Sequence, residues 1–346
     1  MKELVKHIIA VSLMLIPAVA ISADKPTFDN IHMVIGSTDE GGDTYQAAAI
    51  VAKALEKKLN TNINIDAAGT SAGYAALKSD RSGNTIMVTH DQAYLGTLYG
   101  TTGYDDIFNA FKVGPSFAIN PTNAYLVPKN SKFTSLDDVI EAVGHGERVK
   151  VAIQSGSTSE IGFSAIKNAI KLKYPGMEKN LVALNTGSQS SKDQLLFDGI
   201  ADVIQGSLSS NEQFTRLPAD DKKAMRFIWL TSKKTTIDKI NKKGFGEMTK
   251  EKIDSYVSPN VILPMDSHGT INFTFDKEFF IIYGKDMPQD KIDYIDQALK
   301  ELYSEGEINK NLEKAFFVPN FLDSMSNERH LFSKQSKYKI VLDNIK

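Results

Sequence analysis

Cysteine is absent from the 346 residues, and tryptophan occurs once, as Trp229. Without Cys there can be no disulfide, no thiolate nucleophile, no Cys-type zinc or iron–sulfur site, and no lipid-modified Cys anchor. An excess of either charge is also missing: 40 Lys+Arg stand against 42 Asp+Glu, a formal net charge of −2. Nucleic-acid binders normally carry a basic balance or a clustered basic face, so nucleic acid is not an expected partner. The six His residues are scattered without an i, i+4 pair, and there is no EF-hand spacing, P-loop or G-x-G-x-x-G. Neither a metal nor a cofactor is therefore expected. Internal repeats, low-complexity tracts and Pro/Gly-rich linkers are missing too.

What is present is the composition of an ordinary globular chain, 42% hydrophobic and 24% charged. Residues 1–23 read as a secretory signal: Lys2 and Lys6, an apolar run from Ile8 to Ile16, Pro17, then small residues ending at Ala20 or Ala23. The run from Ile8 to Ile21 falls short of the ~20 residues a membrane-spanning helix needs. No later stretch is long and apolar enough to span a bilayer. The expected product is an exported, periplasmic protein without a lipid anchor.

Short β-rich runs alternate with amphipathic stretches, the pattern of parallel α/β sheets. Strands are predicted at 31–35, 62–67, 85–89, 124–127, 149–153, 182–184, 202–205 and 227–230. Helices are predicted at 44–59, 135–143, 159–173, 188–197, 288–303 and 328–338, the second opened by Ser135 with Asp138 three residues on. At ~150 residues per domain the length suggests two domains. The chain is expected to leave the first near residue 125 and return near 230. That gives one domain of 24–124 plus 231–346, another of 125–230, and a two-stranded hinge from the apolar runs at 124–127 and 227–230.

Gly69-Thr70-Ser71-Ala72-Gly73 is a literal G-x-S-x-G after a strand. A serine hydrolase using Ser71 is thus one reading. Against it, only one strand beyond the signal is predicted before this turn, no His-Gly-Gly segment supplies an oxyanion hole, and no His sits in a recognisable acid–His setting. The other reading is a small-residue turn that lets a helix start approach a ligand.

Two loops in corresponding positions, Ser37 to Thr44 and Gln154 to Ser159, are rich in Gly and hydroxyls and each opens a helix. The loop Asn185 to Ser191 repeats that chemistry. Helix starts offer free N–H groups and a partial positive charge, so such loops suit an anion without Arg or Lys. Simple helix capping would explain any one of them. Three together, with Gly69 to Gly73, at the carboxyl ends of predicted strands, favour a shared ligand crevice.

The chain resembles the solute-binding receptors of tripartite tricarboxylate transporters over nearly its whole length beyond the signal. The resemblance rests on Val34 to Thr44 with the pair Gly41-Gly42, on Gly69 to Gly73, and on Ser82-Gly83-Asn84-Thr85. It continues through Tyr104-Asp105-Asp106 with Phe111 to Pro115, Ala124 to Pro128, Phe133 to Asp137, Ser155 to Ser159, and Asp198-Gly199 to Asp202. It implies an α/β periplasmic binding protein of the Venus-flytrap type, with interleaved doubly wound domains and no catalytic activity. Such a receptor captures a small carboxylate-bearing solute and hands it to a membrane permease; the importer class, or a sensor role, stays open. A monomer is expected.

The expected ligand-binding residues are Ser37, Thr38, Gly41, Gly42, Asp43 and Thr44 in the first loop, then Thr70 and Ser71, and Asp91 and Gln92. From the second half come Ser155, Ser157, Thr158 and Ser159, with Thr186, Gly187 and Ser188. The chain departs from the family pattern at Thr38-Asp39-Glu40, at Tyr45 and at Glu160. Asp39, Glu40, Asp43 and Glu160 would repel a multiply charged tricarboxylate. A solute with one carboxylate plus an amine or hydroxyls is therefore the expectation.

Overall fold

The computed structural model describes residues 26–345 apart from Thr122 and Gly246; the expected signal at 1–23 lies outside the described residues. In chain order the elements are β1 (Asn30–Ile35), α1 (Asp43–Leu59), β2 (Asn62–Asp66), α2 (Thr70–Ser79), β3 (Thr85–His90), α3 (Gln92–Leu98), α4 (Ile107–Ala110) and β4 (Phe111–Asn120). Next are β5 (Asn123–Pro128), α5 (Leu136–Gly144), β6 (Val149–Ile153), α6 (Thr158–Lys173), β7 (Leu181–Asn185), α7 (Gln189–Phe197), β8 (Val203–Ser207), α8 (Leu208–Thr215) and β9 (Met225–Leu230). The rest are α9 (Lys234–Ile237), α10 (Lys250–Asp254), β10 (Lys277–Gly284), α11 (Gln289–Glu305), α12 (Glu307–Lys314), β11 (Val318–Leu322) and α13 (Ser324–Ile345).

They form two sheets, a six-stranded one of order β11-β4-β10-β3-β1-β2 and a five-stranded one of order β7-β6-β8-β5-β9. In each, three strands run parallel (β2-β1-β3 and β7-β6-β8) and antiparallel strands complete the sheet. The antiparallel strand β10, KEFFIIYG, is buried along its whole length and lies at the centre of the first sheet. It falls between 230 and 288, where the sequence pattern predicts no strand.

Local signals account for much of the rest. One face of α1 buries Ala47, Ala48, Val51, Ala52, Leu55 and Leu59, and Asn60 closes the helix in the left-handed conformation. Ser135 and Asp138 make a reciprocal capping box at α5.

The chain passes between the sheets at Asn120–Asn123 and returns to β10 after Phe275. The runs at 124–127 and 227–230 lie in β5 and β9, which pair antiparallel at the edge of the second sheet. Thr231 stitches the crossing together: its N–H donates to Asn123 O (3.0 Å), its carbonyl accepts from Phe275 N–H (2.6 Å), and its hydroxyl donates to Phe275 O (2.8 Å). Between 233 and 275 the chain packs on the second sheet, where Ile237, Ile240, Ile253 and Val257 share a core with Leu126, Ile204 and Phe227. Helix α13 then spans both halves. Asn327 Nδ2 donates to Gly114 O of β4 (2.7 Å), and Lys171 of α6 reaches Asn344 O at the far end (2.5 Å).

Candidate functional site

The carboxyl ends of the parallel strands of both sheets face each other across a cavity of about 690 Å³. Helices α1, α2, α6, α7 and α8 begin there, because each follows directly on such a strand end. The two halves treat those helix starts differently. In the second half a serine hydroxyl caps each helix: Ser157 accepts from Ser159 N–H, Ser188 from Ser191 N–H and Ser207 from Ser210 N–H, each at 3.1 Å. In the first half the N-caps of α1 and α2 are Gly42 and Gly69, which have no side chain to cap with. Gly69 sits at φ 82°, a conformation glycine alone adopts without strain. Open first-turn N–H groups therefore remain on that wall.

The cavity gathers Ser37, Thr38, Gly41, Gly42, Asp43, Thr44, Thr70, Gln92, Ser157, Thr158, Ser159, Gly187 and Ser188 of the expected set. Within it, Ser157 and Ser159 spend their hydroxyls on the loop itself: both donate to Gln154 O, at 2.6 and 3.1 Å. Thr158 faces the cavity half-buried.

Four expected residues do not line it. Ser71 opens instead into a separate pocket with Tyr74, Lys78, Gly103, Tyr104 and Asp105, which contains no His. Asp91 is fully buried and pairs with Lys334 of α13 at 2.5 Å, because burial of a carboxylate demands a cation. Ser155 is exposed and donates to Glu160 (3.2 Å), and Thr186 turns its hydroxyl onto Ser188 O (3.2 Å).

Sequence reasoning misses the polar floor: His90, Asn120, Asn123, Gln205 and two cations, Lys192 and Lys277. Neither lysine is among the residues expected from the sequence. Lys277, the first residue of β10, holds Asp43 through two contacts of 2.9 and 2.7 Å, and Asn120 Nδ2 adds a third to that carboxylate at 2.8 Å. Burial pushes the Asp43 carboxyl up, but Lys277 and these hydrogen bonds outweigh it and bring it down to about 2. Burial, together with the charge of Lys277, holds His90 neutral against the pull of Asp43. His90 Nδ1 accepts from Gln92 N–H (3.2 Å), which puts the ring proton on Nε2. Burial likewise brings Lys192 down to about 7.

The repulsion expected from four carboxylates is also smaller than the sequence implies. Asp43 is paired, Glu160 accepts from Gly156 N–H (2.5 Å), Asp39 caps Gly41 N–H (2.8 Å), and Glu40 does not line the cavity. Among the described residues no group of three or more His, Cys, Asp or Glu could hold a metal. No helix among them is long and apolar enough to cross a membrane.

No family model matches the chain, and no curated protein matches it by sequence. Solved structures do. A TctC solute-binding protein from Polaromonas superposes with a TM-score of 0.59 at 14% identity, over 91% of this chain and 98% of that one. Rpa4515 of R. palustris, with adipate, gives 0.65 at 14% identity over 91% and 97%. MatC (Rpa3494) from Rhodopseudomonas palustris, with bound malate, gives 0.63 at 13% identity over 90% and 99%. The fold is that of the TctC-type periplasmic solute-binding proteins, a two-domain α/β architecture with a central cleft.

Proposed function

We propose that this chain is a periplasmic solute-binding receptor that takes a small carboxylate-bearing metabolite into the cleft and delivers it to a membrane permease of a secondary transporter. One observation carries the reading. Helix starts from both sheets converge on one polar cavity, two of them left uncapped by Gly42 and Gly69, with lysines on its floor. The adipate and malate of the two R. palustris proteins support the same solute class. Export through a cleaved segment at 1–23 belongs to this proposal, as do the monomeric state and the absence of catalysis. We take one lobe as 26–120 with 277–322 and the other as 123–275, the packing of 233–275 on the second sheet supporting a return near 276 and not 231.

The cleft lysines do not favour a tricarboxylate. Lys277 is already matched by Asp43, and Asp39 adds a further negative charge to the wall. One carboxylate with hydroxyls or an amine suits that balance. The hydrolase reading loses support because the pocket holding Ser71 contains no His base. Melting-shift screening with succinate, adipate, malate, citrate, aromatic acids and amino acids tests the proposal. A shift for a mono- or dicarboxylate larger than for citrate is expected. Labelling of Ser71 by a fluorophosphonate, or stabilisation by citrate alone, would contradict it.

A further inference from the structure

Lys192 stands in the first turn of α7, lines the cleft, and is 5% exposed. Its ammonium group has three protons to donate, yet its one hydrogen-bond partner among the described residues is the neutral Gln205 Oε1, at 2.5 Å. Gln205 is fixed in that role, since its Nε2 donates to Gly206 O (2.7 Å) and Asn123 Oδ1 (3.4 Å). The neighbouring carboxylate, Asp193, is turned elsewhere and accepts from Gln189 Nε2 (2.8 Å) and Asn211 Nδ2 (3.0 Å). Lys192 has no carboxylate within ion-pair distance among the described residues, whereas its cleft companion Lys277 has Asp43. A cation so buried is costly unless an anion arrives to pair with it.

We propose that Lys192 is the seat of the solute's carboxylate, and that above neutral pH the solute and one proton bind together. This rests on the receptor reading and deepens it. The charged groups acting on Lys192 are Asp193 of its own helix, Asp43 of α1 and Lys277 of β10; the two acids favour its charge, and Lys277 opposes it. Burial outweighs them and brings the empty-site ammonium down to about 7. A carboxylate in contact restores the charge, so affinity falls as pH rises past about 7, by up to tenfold per unit.

The test uses the full-length exported protein, reductively ¹³C-methylated, with the Lys192 signal assigned by its loss in Lys192→Arg. Succinate, malate, adipate and glutamate are the probes. The Lys192 signal is expected to titrate near 7 in the free protein and at least one unit higher with a bound probe. Calorimetry in buffers of different ionisation enthalpy should show proton uptake at pH 8 and none at pH 6. In the unmethylated protein Lys192→Met should weaken binding by about 30-fold or more, and Lys192→Arg should retain much of it. A probe that binds without moving the Lys192 signal, or binds Lys192→Met within threefold of wild type, overturns the inference and leaves the receptor reading intact. If none of the probes binds, the receptor reading falls, and the inference with it.

Discussion

Asp43→Asn removes the counter-ion of Lys277 and turns the cleft from balanced to cationic. The variant is expected to bind citrate more tightly relative to a monocarboxylate than wild type does, a ratio calorimetry measures directly. Its stability should also respond to pH differently. The Asp43 carboxyl sits at about 2, below its unfolded value, so its contribution is present above pH ~4 and lost as pH falls through 2. Acid unfolding should therefore be shallower in Asp43→Asn below pH 4. Lys192 is shifted in the same direction but acts in a higher pH window. Its folded value is depressed, so the solute-free protein gains stability between pH 7 and ~10, where the unfolded state still holds the proton. Lys192→Met should stabilise the solute-free protein by about 1–4 kcal/mol at pH 6, and by less at pH 9. Equal destabilisation at both pH values would contradict that reading. Residue-scale features of this kind are the least legible from sequence. Lys192 and Lys277 lie in no motif and come from helix α7 and strand β10, distant in sequence, so only the fold brings them to one floor. The hydroxyl loops were legible because Ser, Thr and Gly after a strand signal a helix start. That same chemistry hid the fact that Ser157, Ser188 and Ser207 are occupied as caps.

At the scale of elements, α13 is tied down by a buried charge cluster. Lys334 pairs with Asp91 (2.5 Å) and Glu278 (3.0 Å) and donates to Asp276 O (2.6 Å), while His330 contacts Glu278 at 2.8 Å. Lys334→Met would leave buried carboxylates without their cation, an expected loss of about 3–5 kcal/mol in denaturant unfolding. A loss under 1 kcal/mol would mean that these carboxylates are neutral in the folded chain. By contrast, Ser135→Ala breaks a half-buried capping box and should cost only about 1 kcal/mol. Boundaries followed how strongly each segment signals its period and its caps. Strand β6 and helices α1 and α5 sit within a residue of expectation because apolar spacing and caps agree. The sequence pattern predicts α13 only over 328–338, because its outer positions are polar and its buried face includes Asn327 and Lys334, which look solvent-facing in sequence. Strand β10 carried a signal in Phe279 to Tyr283, a short apolar run that periodicity alone cannot separate from a buried helix.

The whole molecule is two sheets, joined at Asn120–Asn123 and near Thr231–Asp276, with their strand ends opposed. That much was legible, because the alternation of strands and helices restarts in mid-chain. The packing of 233–275 was not, since short helices α9 and α10 and the surrounding loops carry little periodicity. Two lobes with a polar cleft, joined by two crossings and by α13, suit closure around a solute. Small-angle scattering is expected to show a smaller radius of gyration when the cleft is filled. The most direct measurement is isothermal titration of the protein with succinate, malate, adipate, citrate, glutamate and benzoate. The account expects saturable one-to-one binding of at least one mono- or dicarboxylate, weakened by Lys192→Met and unaffected by Ser71→Ala. No binding by any carboxylate, or binding that depends on Ser71 and not on Lys192, would contradict it.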